Sequence, residues 1–189
     1  MNGRLLYANK DKVLFESPPC TRLLNIGGTM GKTRKYLAFP YVQYYLRRTA
    51  ANVHRYAHVS NEYFYGAFHV TISNKPMTNM EDIVHIIPLP HVFDDASFCM
   101  HPNLEGLKNL SDIFEKTVAD FWASRFTYST TFIGSKALEE SIGNYKNWEE
   151  LTQKDPKLIL DVNWKYPMQL SKLPYRPYEI TSHGNSYNV

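Results

Sequence analysis

The chain has 189 residues, of which 43% are hydrophobic and 14% aromatic, so it can bury one sizeable core and is expected to form a single domain with extensions. No run of about 18 apolar residues is present, so no membrane partner is expected, and the first residues lack the apolar stretch of a signal peptide. The two cysteines are too few for a disulfide framework, which favours a reducing, cytoplasmic setting or a virion assembled there.

The net charge of +3 conceals an uneven distribution. Residues 1–58 contain ten Lys and Arg against Asp11 and Glu16, a balance of +8, which leaves −5 for the rest of the chain. Tyrosine and phenylalanine alternate with these cations. Such a segment predicts an anionic partner, either nucleic acid or an acidic protein. A solvated strand face decorated with arginine has the same composition, and no nucleic-acid-binding motif of defined spacing is present.

Residues 1–35 resemble a basic N-terminal extension with turns rather than part of a folded core. Residues 17–20 contain two prolines, which favour extended or turn-like backbone. The glycine-rich stretch 27–33 lacks the glycine that a phosphate-binding P-loop requires five residues before Gly31, because Ile26 stands there. We therefore expect a flexible loop at this point.

The core domain is predicted over residues 36–165, and it begins with strands. Residues 41–47 have high β-propensity, and in residues 63–73 the apolar Phe68, Val70 and Ile72 alternate with polar side chains, which indicates a strand with one buried face. A short apolar segment at 83–87 follows. These segments predict an antiparallel β-meander of about four strands.

Helices are predicted after the strands. Ser111 is the expected cap of the first helix. Its apolar residues recur at helical spacing: Ile113, Phe114, Val118, Phe121 and Trp122. A second helix is expected near 147–152, whereas 157–164 fits either a helix or a strand. Residues 166–189 form a polar C-terminal tail with too few apolar residues to fold alone. The predicted fold class is α+β with extensions at both ends.

The stretch from Leu89 to Cys99 carries the main functional signal. It combines a proline, an aromatic residue, an acidic turn pair and a cysteine, and it resembles the active-site segment of ubiquitin-conjugating enzymes. That family has a His-Pro-Asn triplet, an apolar and an aromatic residue, an Asp-Gly turn, and a cysteine eight residues after the Asn. Pro90 matches the triplet's proline, and Cys99 lies eight residues after His91. Three positions differ: Leu89, His91 and Ala96 stand where the family has His, Asn and Gly, and alanine tolerates a left-handed backbone poorly.

The resemblance implies thioester chemistry on Cys99. The thiolate would accept an acyl group from an activating enzyme and pass it to a lysine amine. His91 or His101 would activate the thiol, and Asp95 or its neighbour Asp94 would orient or deprotonate the incoming amine. The candidate catalytic residues are therefore Cys99, His91 and Asp95. No cofactor is expected, and the implied partners are other protein chains, either the modifier or assembly neighbours.

Two other interpretations of the same residues stay open. A cysteine between Phe98 and Met100 is also compatible with a buried, inert side chain, and the domain would then be a non-catalytic structural or interaction subunit of a multi-subunit, including a virus-like, assembly. His85, His91, Cys99 and His101 could together ligate zinc, but their spacing matches no common zinc module. No metal site is expected.

Overall fold

The structure is a computed structural model, and it describes residues 2–9, 12–28, 31–50, 63–98, 107, 109–127 and 132–173. Within these residues the α+β class is confirmed. The elements in chain order are β1 (Arg4–Ala8), β2 (Lys12–Ser17), β3 (Cys20–Gly28), β4 (Gly31–Phe39), β5 (Tyr41–Ala50), β6 (Tyr63–Ser73), β7 (Ile83–Ile86), α1 (Leu110–Ala123), β8 (Arg125–Thr127), α2 (Ile133–Ser141), α3 (Tyr145–Lys154) and β9 (Pro167–Gln169). Short 3-10 helices cover Pro156–Asp161 and Leu170–Lys172.

The described strands form two sheets. The larger has the order β1-β2-β5-β6-β7-β9, and the smaller has the order β4-β3-β8. Pairing in the larger sheet is antiparallel throughout, whereas β3 pairs with β8 in parallel. The predicted strands at 41–47 and 63–73 are therefore present as the neighbouring strands β5 and β6.

The first 35 residues differ from the expectation of an extension. They form β1, β2, β3 and the start of β4, and Val13, Leu24 and Ile26 belong to the main core cluster. Of the predicted flexible loop at 27–33, residues 27–28 belong to β3 and residues 31–33 to β4, with Gly28 paired to Gly31, and residues 29–30 lie outside the described residues. β1 pairs with β2 and β3 pairs with β4 in hairpins, and the longer-range pairings of β2 with β5 and of β3 with β8 join these hairpins to the rest of the fold.

The helical half also departs in detail from the prediction. Helix α1 begins after Asn109, whose side chain accepts a hydrogen bond from the Asp112 amide, so Asn109 rather than Ser111 is the cap. Helix α3 confirms the helix expected near 147–152. Residues 156–161 form a 3-10 helix. The core also continues beyond residue 165, because β9 pairs with β7 and Leu170 is buried.

An aromatic core joins the two sheets. Phe121 of α1 contacts Phe68 of β6 and Phe126 of β8, with ring centroids 5.7 and 5.8 Å away. Trp148 of α3 is fully buried and packs on Phe39 of β4 at 5.0 Å. Because aromatic pairs at such distances add to the free energy of burial, this layer holds α1 against both sheets and α3 against β4 of the smaller sheet.

A polar network lies between the strands of the larger sheet. Glu16 is only 2% exposed. Its carboxylate accepts hydrogen bonds from Arg4 Nε, Gln43 Nε2 and the Met77 amide, each at 2.9 Å. Gln43 Nε2 also donates to Ser73 Oγ at 2.8 Å. A buried carboxylate is costly unless it is paired and hydrogen-bonded in this way, so the network stabilises the start of the chain against the sheet.

Candidate functional site

The candidate site is the segment that follows β7 and leads to Cys99. After β7 the chain turns at two buried prolines, Pro88 and Pro90, with the fully buried Leu89 between them. The Leu89 amide donates to the Ile87 carbonyl at 2.8 Å. His91 then adopts a left-handed backbone with φ of 68°, which redirects the chain into the following turn.

Residues 92–98 form a short hairpin. Val92 bridges Phe98, the Ala96 amide donates to the Phe93 carbonyl at 3.0 Å, and the Phe93 amide donates to the Ser97 carbonyl at 2.9 Å. Ala96 has a φ of 61°, so it occupies the left-handed position that usually requires glycine. Its side chain is fully buried. The turn therefore closes with alanine in the place of the glycine of an Asp-Gly pair.

The side chain of Asp95 holds this turn together. One carboxylate oxygen accepts from the Ser97 amide at 2.8 Å and from the Ser97 hydroxyl, an Asx-type arrangement that stabilises a turn from within. Asp94, by contrast, is exposed. Of the two carboxylates proposed for the incoming amine, Asp94 is the accessible one.

The hairpin docks on the edge of β6 and extends the sheet there. Strand β7 pairs with β6 only at Thr71 and Ile72. Earlier in β6, at residues 68–70, the hairpin takes the place of β7: the Val70 amide donates to the Ala96 carbonyl at 3.0 Å, and the Phe98 amide donates to the Phe68 carbonyl at 2.9 Å. The segment before Cys99 is thus held by backbone hydrogen bonds to a central strand.

The side chain of His69 in β6 contacts the turn of the hairpin. Its Nδ1 lies 2.9 Å from the Asp95 carbonyl oxygen, and its side chain is 4% exposed. Burial lowers the pKa of His69 from its ordinary value, because the charged imidazolium is poorly solvated there. The neutral ring with its proton on Nδ1 is therefore the form that donates to the turn.

The amino end of α2 closes the other side of the loop. The Gly134 amide donates to the Val92 carbonyl at 3.2 Å. A Cβ atom at Gly134 would lie 1.9 Å from the Leu89 carbonyl oxygen, so glycine is required for this close approach. The ring of Phe132, which precedes α2, lies 5.2 Å from His91 and 5.1 Å from Phe93. Helix and loop therefore form one packed unit.

His91 is partly exposed beside this unit. Its ring centroid lies 6.3 Å from that of Phe98, the residue immediately before Cys99. Burial lowers the pKa of His91, so the ring is mainly neutral near pH 7 and can both accept and donate a proton.

The predicted site residues divide into two groups. Asp95 lies in the hairpin 92–98 and His91 immediately precedes it, whereas Cys99 and His101 lie outside the described residues. Among the residues that the structure does describe, no three His, Cys, Asp or Glu side chains are grouped as a metal site would require. Sequence reasoning missed His69 and Gly134. The polar position of His69 in an alternating strand and the glycine in a helical segment were the available signals.

The helices of the chain and its comparison with known proteins were considered next to the geometry of the site. None of the described helices is both long and apolar enough to cross a membrane. Comparison of the chain with protein-family models, with curated proteins and with solved structures gives no match. The geometry of the hairpin and its neighbours is therefore the basis for assigning a function.

Proposed function

We propose that this chain is a ubiquitin-conjugating-like acyl carrier that holds an acyl group as a thioester on Cys99. The observation that carries the proposal is the closed hairpin 92–98, with Ala96 left-handed in the place of the family's glycine. A nucleophile needs a rigid support to meet its substrate in a productive geometry. The hydrogen bonds to β6 and the contact with α2 supply that support directly before the cysteine.

The proposed reaction has two acyl transfers. In the first, the Cys99 thiol gives its proton to His91 and its sulfur attacks the carbonyl carbon of a donor thioester; the new C–S bond forms, the donor's C–S bond breaks, and the donor sulfur takes the proton. In the second, a neutral lysine amine attacks the same carbon, the amide bond forms, the C–S bond to Cys99 breaks, and the proton that the amine loses ends on the released Cys99 sulfur. Neither step changes an oxidation state, so neither needs a redox cofactor.

The neighbouring side chains suit the proton transfers of these steps. The partly exposed, neutral ring of His91 can accept the thiol proton or donate a hydrogen bond to the tetrahedral oxyanion. Asp94 is the carboxylate of the turn that solvent and an incoming amine can reach. Asp95 instead preserves the turn through Ser97, so we assign it a positioning role.

A chemical acyl donor tests the proposal without an activating enzyme. The full chain is incubated with the mercaptoethanesulfonate thioester of a short glycine-ended peptide, and its intact mass is measured. We expect an adduct of one peptide acyl group that dithiothreitol removes. It should be absent from Cys99→Ala and present in Cys20→Ser. Equal labelling of the wild type and Cys99→Ala would contradict the assignment.

A second candidate function is a non-catalytic subunit that pairs with copies of itself or with neighbouring chains. It is favoured by β1, the outer strand of the larger sheet, whose Leu5 and Tyr7 are 59% and 48% exposed. Exposed edge strands invite pairing with another chain. Light scattering of the wild type and of Leu5→Lys tests this function: a larger assembly that the substitution dissociates supports it, and a monomer in both cases contradicts it.

A further inference from the structure

The smaller sheet has one face on the core and one face in solvent. Along β3, β4 and β8 the buried residues Leu24, Leu37 and Phe126 alternate with residues of the opposite face. We call the solvent-facing part of that opposite face the basic face, and it comprises Thr21, Leu23, Asn25, Arg34, Tyr36, Arg125 and Thr127, whereas Gly27 and Ala38 on the same side are buried. All residues of the basic face are exposed except Asn25, which is partly buried.

Two arginines lie in one row across the basic face. Asn25 of β3 pairs with Arg34 of β4 on one side and with Arg125 of β8 on the other. Strands lie about 4.8 Å apart, so the two arginines start about 10 Å from each other. The Arg125 Nε also lies 2.5 Å from where a Cβ of Gly27 would be. The absence of a side chain at Gly27 thus lets the Arg125 side chain lie against the sheet.

These arginines have no counter-charge among the described residues. Arg4, Lys35, Lys116 and Lys146 each lie within ion-pair distance of a carboxylate. Arg34 and Arg125 form no such pair in the described part of the chain, and none of the seven residues of the basic face is acidic. Unpaired guanidinium groups on a surface attract anions and bind phosphate with well-directed hydrogen bonds.

An aromatic platform adjoins the arginine row. Tyr36 is 61% exposed and lies opposite Leu23, which is 39% exposed. The exposed Tyr36 ring leaves apolar surface in water, and a nucleic-acid base stacked on the ring would cover that surface. Aromatic side chains beside cationic groups on an open sheet surface are the usual means of binding single strands without reading sequence.

We propose that the basic face binds single-stranded nucleic acid, with the phosphates on Arg34 and Arg125 and a base stacked on Tyr36. Single strands are favoured over duplex DNA because the face is a flat sheet and has no projecting helix to enter a major groove. They are favoured over an acidic peptide because a peptide carboxylate would use the arginines and leave Tyr36 uncovered. The activity is separate from the chemistry proposed for Cys99.

Fluorescence anisotropy with the full chain and a labelled oligothymidylate of about 20 nucleotides, at about 50 mM salt, tests the proposal. We expect the double variant Arg34→Gln/Arg125→Gln to bind about tenfold or more weakly, and its salt dependence to lose about 1.4 from the log–log slope, the value for two phosphate contacts on a single strand. Tyr36→Ala should bind about fivefold or more weakly, since a base loses its stacking partner.

Matched controls separate this site from general charge. Tyr36→Phe keeps the ring and should retain binding, and Lys172→Gln removes an exposed cation in the 3-10 helix that follows β9 and should also retain it. Every substituted side chain is exposed, so thermal melts should match the wild type. Absence of binding, equal binding by the double arginine variant, tighter binding of a duplex of the same length, or binding of polyglutamate that Tyr36→Ala leaves unchanged would each overturn the proposal.

Discussion

Replacing Gly134 with alanine tests whether α2 holds the hairpin loop. In an open helix, alanine in place of glycine stabilises by about 1 kcal/mol. Here the added Cβ would lie 1.9 Å from the Leu89 carbonyl oxygen and 3.1 Å from the Val92 Cβ. The backbone must move by about 1 Å to reach even 3.0 Å, and that movement strains the hydrogen bond from the Gly134 amide to the Val92 carbonyl.

The net cost of Gly134→Ala follows from three terms. Overpacking of this kind costs about 1–3 kcal/mol, and a weakened hydrogen bond costs about 1 kcal/mol. The gain in helix propensity offsets about 1 kcal/mol of this sum. We therefore expect the free energy of unfolding to fall by about 2 kcal/mol, which for a chain of this size lowers the Tm by about 4–8 °C.

Guanidinium denaturation followed by tryptophan fluorescence measures this loss. The midpoint should fall while the m-value stays unchanged, since the surface exposed on unfolding is nearly the same. Lys136→Ala in the same helix is the control, because Lys136 is exposed and its replacement should change the stability by less than about 0.5 kcal/mol. A Gly134→Ala variant as stable as the wild type, or more stable, would refute the close approach of α2 to Leu89.

Three further predictions concern the supports of the site and the start of the chain. Burial lowers the pKa values of His69, His85 and His91. As the pH decreases below about 6.5, the unfolded chain therefore takes up protons before the folded chain does, and the free energy of unfolding decreases. His69→Gln should make that fall shallower in denaturation measured from pH 7.5 to 5, and an unchanged slope would argue against a neutral buried His69. Because His91 has a φ of 68°, His91→Asn should fold as stably as the wild type, whereas His91→Val should lose about 1–3 kcal/mol; equal melting temperatures for the two variants would exclude the left-handed backbone. Glu16→Ala strands the buried donors of Gln43 and Met77 and should cost about 2–4 kcal/mol. Lys146→Ala removes one partner of the exposed ion pair with Glu150 and should cost about 1 kcal/mol or less; similar losses for the two variants in urea denaturation would contradict the network.

Local sequence patterns were sufficient to predict the central strands β5 and β6. In β6 the alternating residues Phe68, Val70 and Ile72 lie on the core, and the strand lies where it was predicted. The expectation of a single buried face was wrong, because the polar face with His69, Thr71 and Ser73 is buried as well. The turn at Asp95 was also visible, because an Asx residue can satisfy the turn's own amides.

Contacts between distant residues account for what the sequence did not predict. Strands β2 and β3 pair with the distant strands β5 and β8, and through the hairpins β1–β2 and β3–β4 these pairings also place β1 and β4. Helix α2 begins at Ile133 after Phe132, whose side chain makes no capping hydrogen bond, and it contains Gly134, so the local sequence does not favour a helix here. The hydrogen bond between His69 and Asp95 joins residues 26 positions apart, so no local sequence pattern could predict it.

The most direct test of the central claim is the alkylation rate of Cys99 by iodoacetamide in the folded Cys20→Ser variant. The supported loop with a neutral His91 predicts a rate near pH 7 several-fold faster than in the same chain unfolded in guanidinium, and a slower rate in the His91→Ala variant. A folded chain whose Cys99 reacts no faster than the unfolded chain would contradict the assignment of Cys99 as the nucleophile.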